Sequence, residues 1–205
     1  MKYYYAISSL PSLPAPGNPP PIMPSELLEE LAPHPELQLA LLAVFERMAL
    51  QRELPLVESR WFDYFSALNA LGKQLHIRFL CQLAEFELAL AYELELVRFK
   101  RNPHLRPRVE RMRERTVAYD GEAVSLAAKW ANTDDPVNGY RLLLNGRLQW
   151  MRAQGQWFSF LGDEIVAYSA MLVVCIEAAV VAAQMPAAAL RFRAPVSRWN
   201  WSAAQ

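Results

Sequence analysis

The residues able to act as nucleophiles, bases or metal ligands are few and scattered along this chain of 205 residues. No glutamate stands three residues before His34, His76 or His104, so the Glu-x-x-His pairs of a di-metal helical bundle are missing. Cys81 and Cys175 each stand in an apolar helical run, where a free thiol behaves as a small hydrophobe. We find no metalloprotease, hydrolase-elbow, P-loop or dinucleotide motif. We therefore expect no catalytic residues, no bound metal and no cofactor, and predict that the chain is not an enzyme.

The overall charge balance bears on the class of partner, although it leaves local charged patches possible. The chain carries 21 Lys and Arg against 21 Asp and Glu, and 53% of its residues are apolar. These values are typical of a globular protein with a sizeable core, and they remove any global electrostatic case for binding nucleic acid or an anionic membrane. The opening MKYYYAISSLPSLP has no apolar signal region. We expect a cytoplasmic protein.

Residues 1–24 predict an extended Tyr/Pro-rich arm. Residues 3–7 form a short β-prone run. The proline-rich SLPSLPAPGNPPPIMP that follows cannot form regular helix or pair in a sheet, and it favours an extended course. A proline-rich ligand for an SH3-type domain is the alternative reading of this segment.

Residues 73–101 contain neither Gly nor Pro and predict one helix of about eight turns. Apolar residues occupy two of its arcs, so we expect a central helix that is buried on more than one side. Glu87, Glu95 and Arg98 point away from its polar stripe, where carboxylates are costly unless paired. Glu95 and Arg98 are three residues apart and can pair. We predict a structural ion-pair set that fixes helix register, and a site for a partner chain is the alternative.

Capping residues and breakers divide the rest of residues 25–190 into further helices. Ser25, Asp120, Asp135 and Asp163 are the expected N-caps, and Pro186 is the expected end of the last helix. The helices outside 73–101 are predicted over 26–31, 36–52, 58–71, 121–131, 137–154 and 164–184. The last is apolar but carries Glu177 near its middle, which favours a core helix over a membrane span. The sequence thus predicts an all-α, elongated bundle of about seven helices.

Two basic segments are candidate partner-binding surfaces. The stretch 105–119 carries Arg106, Arg108, Arg111, Arg113 and Arg115, and Arg98, Lys100 and Arg101 precede it. A solvated helix face is the simplest reading of such a run; an acidic protein partner is the next, and nucleic acid is the least favoured because interleaved aromatics are missing. Residues 191–205 form an Arg/Trp-rich tail with Arg198, Trp199 and Trp201, which are residue types favoured at interfaces. A frayed terminus is the alternative.

Three stretches carry a resemblance to a known family. They are the opening MKYYYAISSLPSL, the central LAEFEL at 83–88 with RFKR at 98–101, and DEIVAY at 163–168. Together they resemble an uncharacterised family of short proteins encoded among bacterial V-type ATP synthase genes. The central stretch is also similar, more distantly, to the C subunit of V/A-type ATPases, the central-stalk subunit called d in eukaryotes.

The resemblance implies a non-catalytic, all-helical subunit that links the rotor ring to the shaft. Its partners would be stalk or rotor-ring subunits, and it would meet the inner membrane only through that complex. The chain is much shorter than the C subunit, so a reduced equivalent and a separate accessory are both open. A helical adaptor unrelated to the ATPase, or an enzyme with a site in the bundle core, are the alternative functions.

Overall fold

Helices make up the regular structure of the part of the chain that the structure describes. The computed structural model describes residues 3–50, 58–115 and 120–193, which form nine α-helices and one 3-10 turn and contain no strand. The all-α prediction is confirmed. In chain order the helices are α1 (Tyr4–Ser9), α2 (Pro24–Glu30), α3 (Pro35–Leu50), α4 (Glu58–Leu75), α5 (Arg78–Arg101), α6 (Arg106–Arg115), α7 (Gly121–Ala131), α8 (Pro136–Gln154) and α9 (Gly162–Arg193), with the 3-10 turn Pro103–Leu105 between α5 and α6.

Helix α5 is the centre of the bundle, as its two apolar arcs predict. It packs against α4, α6, α7 and α9. Phe79, Leu83, Phe86 and Leu90 are buried along it, and the Phe86 ring stacks on Trp150 of α8 with centroids 4.2 Å apart. Burial of a side chain of this size contributes about 1.5–3 kcal/mol, so a row of them makes α5 the element to which the others are fixed.

The prediction of one helix over residues 73–101 is wrong at its N-terminal end. Helix α4 continues to Leu75, beyond its predicted end at residue 71, and α5 begins only at Arg78. His76 adopts a left-handed backbone with φ 56°, and the Ile77 N–H donates to the Gly72 carbonyl at 2.9 Å. A Cβ at Gly72 would lie 2.8 Å from Cys81 Sγ, so the absent side chain lets the two helices cross closely.

The N-terminal arm is partly helical, which corrects the prediction that residues 3–7 are extended. Tyr4–Ser9 form α1, and the Tyr3 ring before it is buried, with its hydroxyl donating to Glu36 Oε1 at 2.8 Å. Contact with the core therefore overrides the β propensity of the tyrosines. The proline-rich segment between α1 and α2 contains no helix or strand.

The start of α2 differs from the prediction. Ser25 is not its N-cap, because Pro24 occupies the first helical position and Met23 precedes it. The Glu26 carboxylate accepts the Met23 N–H at 2.7 Å. This arrangement satisfies a backbone donor at the helix start without a serine cap.

Asp120 and Asp135 cap α7 and α8 as predicted. Asp120 Oδ1 accepts the Glu122 N–H at 2.8 Å, and Asp135 Oδ1 accepts the Val137 N–H at 3.0 Å. The prediction for Asp163 is wrong. Its Oδ1 accepts the Phe79 N–H at 2.7 Å, so it satisfies the start of α5 across the bundle instead of the start of its own helix.

Helix α9 passes through Pro186 and continues to Arg193, so the predicted stop is too early. By length and composition its segment Gly162–Ala183 could cross a membrane, with a mean hydropathy of 2.3, but 78% of its most apolar window is buried inside the protein. Val173, Val174 and Cys175 are fully buried. In this fold the segment Gly162–Ala183 is therefore a core helix.

Buried ion-pair network and candidate partner-binding face

Glu87 of α5 lies at the centre of an ion-pair network that joins four helices. Arg47 of α3 places Nη1 2.6 Å from Glu87 Oε1. Arg147 of α8 donates its Nε–H to the same carboxylate, at 2.9 Å from Oε1 and 3.1 Å from Oε2. The Glu87 side chain is fully buried, and the Arg47 side chain is 4% exposed. The sequence prediction singled out Glu87 but did not find these two partners.

Glu177 of α9 completes the network, with Oε1 3.4 Å from Arg47 Nε. Neither Glu177 oxygen has a hydrogen-bond partner within the described residues, so this contact is a charge pair without hydrogen-bond geometry. The Arg47 guanidinium also lies over the Trp61 ring of α4, 5.9 Å from its centroid. We call Arg47, Glu87, Arg147 and Glu177 the buried network. Its two positive and two negative charges balance, as burial requires.

The electrostatics keep Glu87 and Arg47 ionised. Burial alone would raise the pKa of Glu87, but Arg147 and Arg47 outweigh it and hold that pKa below its ordinary value. Burial would lower the pKa of Arg47, and the Glu87 and Glu177 carboxylates raise it further than burial lowers it. Burial also raises the pKa of Tyr64, whose hydroxyl donates to the Ala43 carbonyl at 2.9 Å. Glu87 and Arg47 thus stabilise each other as a buried ion pair.

Glu95 anchors a second cluster near the far end of α5. Arg98 Nη1 lies 2.7 Å from Glu95 Oε1, as the three-residue spacing predicts, and Arg108 Nη2 of α6 lies 3.1 Å from the same oxygen. The Glu95 side chain is 3% exposed, but those of Arg98 and Arg108 are 50% and 39% exposed. Arg98 also lies over the Trp130 ring at 5.6 Å. One buried carboxylate thus holds two arginines at the protein surface.

The basic segment forms a surface that begins at this cluster. Among its described side chains, Arg98, Lys100, Arg106, Arg111 and Arg113 are exposed. Arg106 is paired along its own helix, with Nε 2.9 Å from Glu110 Oε1. We call the exposed surface formed by residues 98–100 and 106–113 the basic face. Its exposed cations outnumber its one exposed carboxylate, that of Glu110.

Part of the predicted partner-binding set lies outside the described residues. Arg198, Trp199 and Trp201 belong to residues 194–205, and the side chains of Arg101 and Arg115 are likewise outside the described set. The partner-binding prediction for them stays a prediction.

The surroundings of the cysteines and of two histidines are defined by the structure. Burial raises the pKa of the Cys81 and Cys175 thiols, which makes both poor nucleophiles. The His34 ring packs edge-to-face on Tyr3 with centroids 4.9 Å apart, whereas His104 is exposed. Over the ranges that the structure describes, no group of three or more His, Cys, Asp or Glu side chains could hold a metal ion.

A shallow groove between α7 and α8 has a volume of about 250 Å³. Phe86, Leu126 and Trp150 line it, and Glu122 and Lys129 stand among its polar residues. It contains none of the sequence-predicted site residues. Helices α7 and α8 approach closely at Gly146, which has no side chain. A Cβ added there would lie 2.4 Å from the Leu126 side chain.

The comparisons with known proteins add no relative. No family model, no curated protein and no solved structure matches this chain.

Proposed function

We propose that this chain is a non-catalytic subunit or accessory of a bacterial V-type rotary ATP synthase, acting as a central-stalk component similar to the C subunit and linking the rotor ring to the shaft. The observation that carries the proposal is the position of the three stretches that resemble the V-type operon family. The Tyr168 hydroxyl of the third stretch donates to the Pro11 carbonyl of the first at 2.9 Å. Helix α5, which carries the second, packs against α9, which carries the third. Stretches far apart in sequence therefore belong to one continuous part of the fold.

The buried network supports a role in which stiffness matters. A linking subunit must hold its helices in register while load passes through it. Glu87 ties α5 to α3 and α8 through charge-assisted hydrogen bonds, which are about twice as strong as neutral ones. Removing one partner would leave a buried uncompensated charge, so sliding of these helices past one another is costly.

The basic face supports a role in binding an acidic protein surface. Its arginines are exposed, and Glu95 orients two of them. Arginine is well suited to this because its planar guanidinium pairs with carboxylates in fixed geometry. Acidic stalk or rotor-ring subunits are the partners that this surface fits under the proposal.

Affinity purification of the tagged protein from its native membranes tests the proposal, with co-purifying subunits identified by mass spectrometry. We expect stalk and rotor-ring subunits to be recovered. Recovery of the tagged protein alone, under conditions in which the ATPase stays assembled, would contradict the proposal and favour the unrelated helical adaptor.

Charge reversal then tests the basic face. We expect the double variant Arg111→Glu/Arg113→Glu to recover about tenfold less of the ATPase subunits, because like charges facing each other across an interface cost several kcal/mol. Arg108 is left intact, since a carboxylate there would stand beside Glu95. The matched control is Arg141→Glu, an exposed arginine on α8. Equal recovery by the variant and the control, with unchanged helicity, would remove the basic face from the proposed interface.

A further inference from the structure

The cluster around Glu95 holds two arginines of the basic face side by side. Arg98 Nη1 and Arg108 Nη2 contact the same Glu95 oxygen, so the two guanidinium groups are neighbours. The carboxylate carries one negative charge and the guanidinium groups carry two positive charges, so these three side chains together are net positive. Because Glu95 is buried and both arginines are partly exposed, the excess positive charge faces solvent.

Trp130 of α7 holds one of these arginines from a second side. The Arg98 guanidinium lies 5.6 Å from the centre of the Trp130 ring, a distance at which a cation and an aromatic ring attract each other. The ring is half-buried and packs on the hydrophobic core, so the fold supports it. Arg98 is thus fixed by a carboxylate and by an aromatic ring before any partner arrives. Binding to a side chain that is already ordered costs little conformational entropy.

The surroundings of this cluster carry an excess of positive charge. Residues 93–114 contain seven Lys and Arg against four Glu, and residues 129–135 add one Lys and two Asp. Two of the glutamates, Glu95 and Glu110, are themselves bound by arginines of this surface. The electrostatic complement of the cluster is therefore a negatively charged group.

We propose that Arg98, Arg108 and Trp130 are the anchor point of the basic face, where the carboxylate of an Asp or Glu side chain in an acidic protein segment binds. Arg and Trp are enriched among the few residues that dominate the affinity of protein interfaces, and a guanidinium can pair with a carboxylate through two parallel hydrogen bonds. Nucleic acid is the less suitable ligand, because its bases stack on exposed rings and the Trp130 ring is half-buried and covered by Arg98. The inference deepens the proposed role of the basic face and rests on that part of the proposed function.

Fluorescence anisotropy of a labelled octaglutamate peptide tests the anchor point on the full chain, with no ATPase present. We expect binding that weakens as salt is added, since exposed charges are screened. Arg98→Met should weaken binding about tenfold or more, as the loss of an interface hot spot does. Arg106→Met removes the same charge from the basic face and should weaken binding less, because Arg106 lies outside the anchor point and pairs with Glu110. Arg152→Met, at an exposed arginine outside the basic face, should bind like the wild type.

Glu95→Gln separates the positioning of the arginines from the net charge of the surface. The substitution removes a negative charge, so attraction by charge alone would tighten peptide binding. The anchor point predicts weaker binding, because Arg98 and Arg108 lose the carboxylate that orients them. Trp130→Phe keeps a ring beside Arg98 and should retain more binding than Trp130→Leu. Circular dichroism at the assay temperature checks that each variant is folded.

Four results would overturn the inference. They are the absence of peptide binding by the wild type, tighter binding by Glu95→Gln, equal losses in Arg98→Met and Arg106→Met, and competition by a single-stranded DNA oligonucleotide as strong as that by unlabelled peptide of equal charge. The peptide assay contains no ATPase subunit, so its outcome is distinguishable from that of the affinity purification. Peptide binding at Arg98 without recovery of ATPase subunits would contradict only the ATPase role. Recovery of those subunits without peptide binding would contradict only the anchor point.

Discussion

Glu87 and Glu95 stand eight residues apart on the same helix, and both carboxylates are buried, yet their surroundings differ. The arginines that pair with Glu87 come from α3 and α8, and their side chains are 4% and 11% exposed. Those that pair with Glu95 come from α5 itself and from α6, and they are about half exposed. The difference indicates two uses of the same ion-pair chemistry. The first joins helices inside the bundle, and the second orients arginines at the surface of the basic face.

The largest effect is expected from Glu87→Gln. The change leaves Arg47 and Arg147 buried without their common carboxylate, and breaking such a pair costs about 3–5 kcal/mol. Urea unfolding followed by circular dichroism measures the loss. The matched control is Glu85→Gln, an exposed glutamate on the same helix, which should change the free energy of unfolding by less than about 0.5 kcal/mol. Equal, small losses in both variants would refute the internal role of Glu87.

Acidification should act on the same group. Because the pKa of Glu87 is lower in the folded protein than its ordinary value, its ion pairs stabilise the fold fully above that ordinary value. This stability is lost as the pH falls from there through the lowered pKa, where the folded protein must take up a proton. Comparison of pH-dependent unfolding in the wild type and Glu87→Gln should show a shallower acid loss in the variant. Identical slopes would contradict the assignment.

Glu95→Gln should be less destabilising, by about 1.5–3 kcal/mol, since hydrogen bonds to one charged group are lost while the freed arginines can turn to water. The same unfolding measurement applies. A loss equal to that of Glu87→Gln would erase the distinction between the two clusters. Added salt offers a second check, because screening by ions affects the half-exposed pairs of Glu95 more than the buried pairs of Glu87.

The smallest effect is expected from Arg98→Met, at about 0–1 kcal/mol. Half-exposed ion pairs contribute little to stability, and Glu95 keeps Arg108. Arg147→Met is the comparison on the other cluster and should cost more, because Arg147 is nearly buried against Glu87. Thermal unfolding of the two variants measures which substitution costs more stability. A larger loss in Arg98→Met than in Arg147→Met would contradict the distinction between the Glu87 and Glu95 clusters.

Local signals predict much of the fold but not the tertiary contacts of its charges. Asp120 and Asp135 are recognisable as N-caps because a cap binds backbone N–H groups only two or three residues further along the chain. The pair of Glu95 and Arg98 is predicted from the three-residue spacing alone. Arg47 and Arg147 meet Glu87 only when α3 and α8 pack on α5. A charge on the apolar side of a helix is the signal that could have identified Arg47 as a partner. Arg47 lies three residues after buried Val44 and therefore on the same side of α3.

Two errors at helix ends have the same physical origin. Residues 73–101 contain neither Gly nor Pro, but the chain turns at His76 because the glycine before that stretch, Gly72, permits close contact with α5. Asp163 has the residue type and position of an N-cap, but its carboxylate satisfies Phe79 of another helix. In each case the tertiary contact decides between local options that the sequence leaves equivalent.

The central claim is that the basic face binds a partner while the Glu87 ion pairs act inside the bundle. Hydrogen–deuterium exchange, with and without the assembled rotary ATPase, tests it most directly. We expect the complex to protect the amides of α6 and of the C-terminal turns of α5, beneath the basic face. We expect no change in exchange at the amides around Glu87, Arg47 and Arg147. The buried ion pairs hold those helices together, so these amides should already be protected in the free protein. Protection confined to α3 and α8, or no change anywhere on mixing with the ATPase, would contradict it.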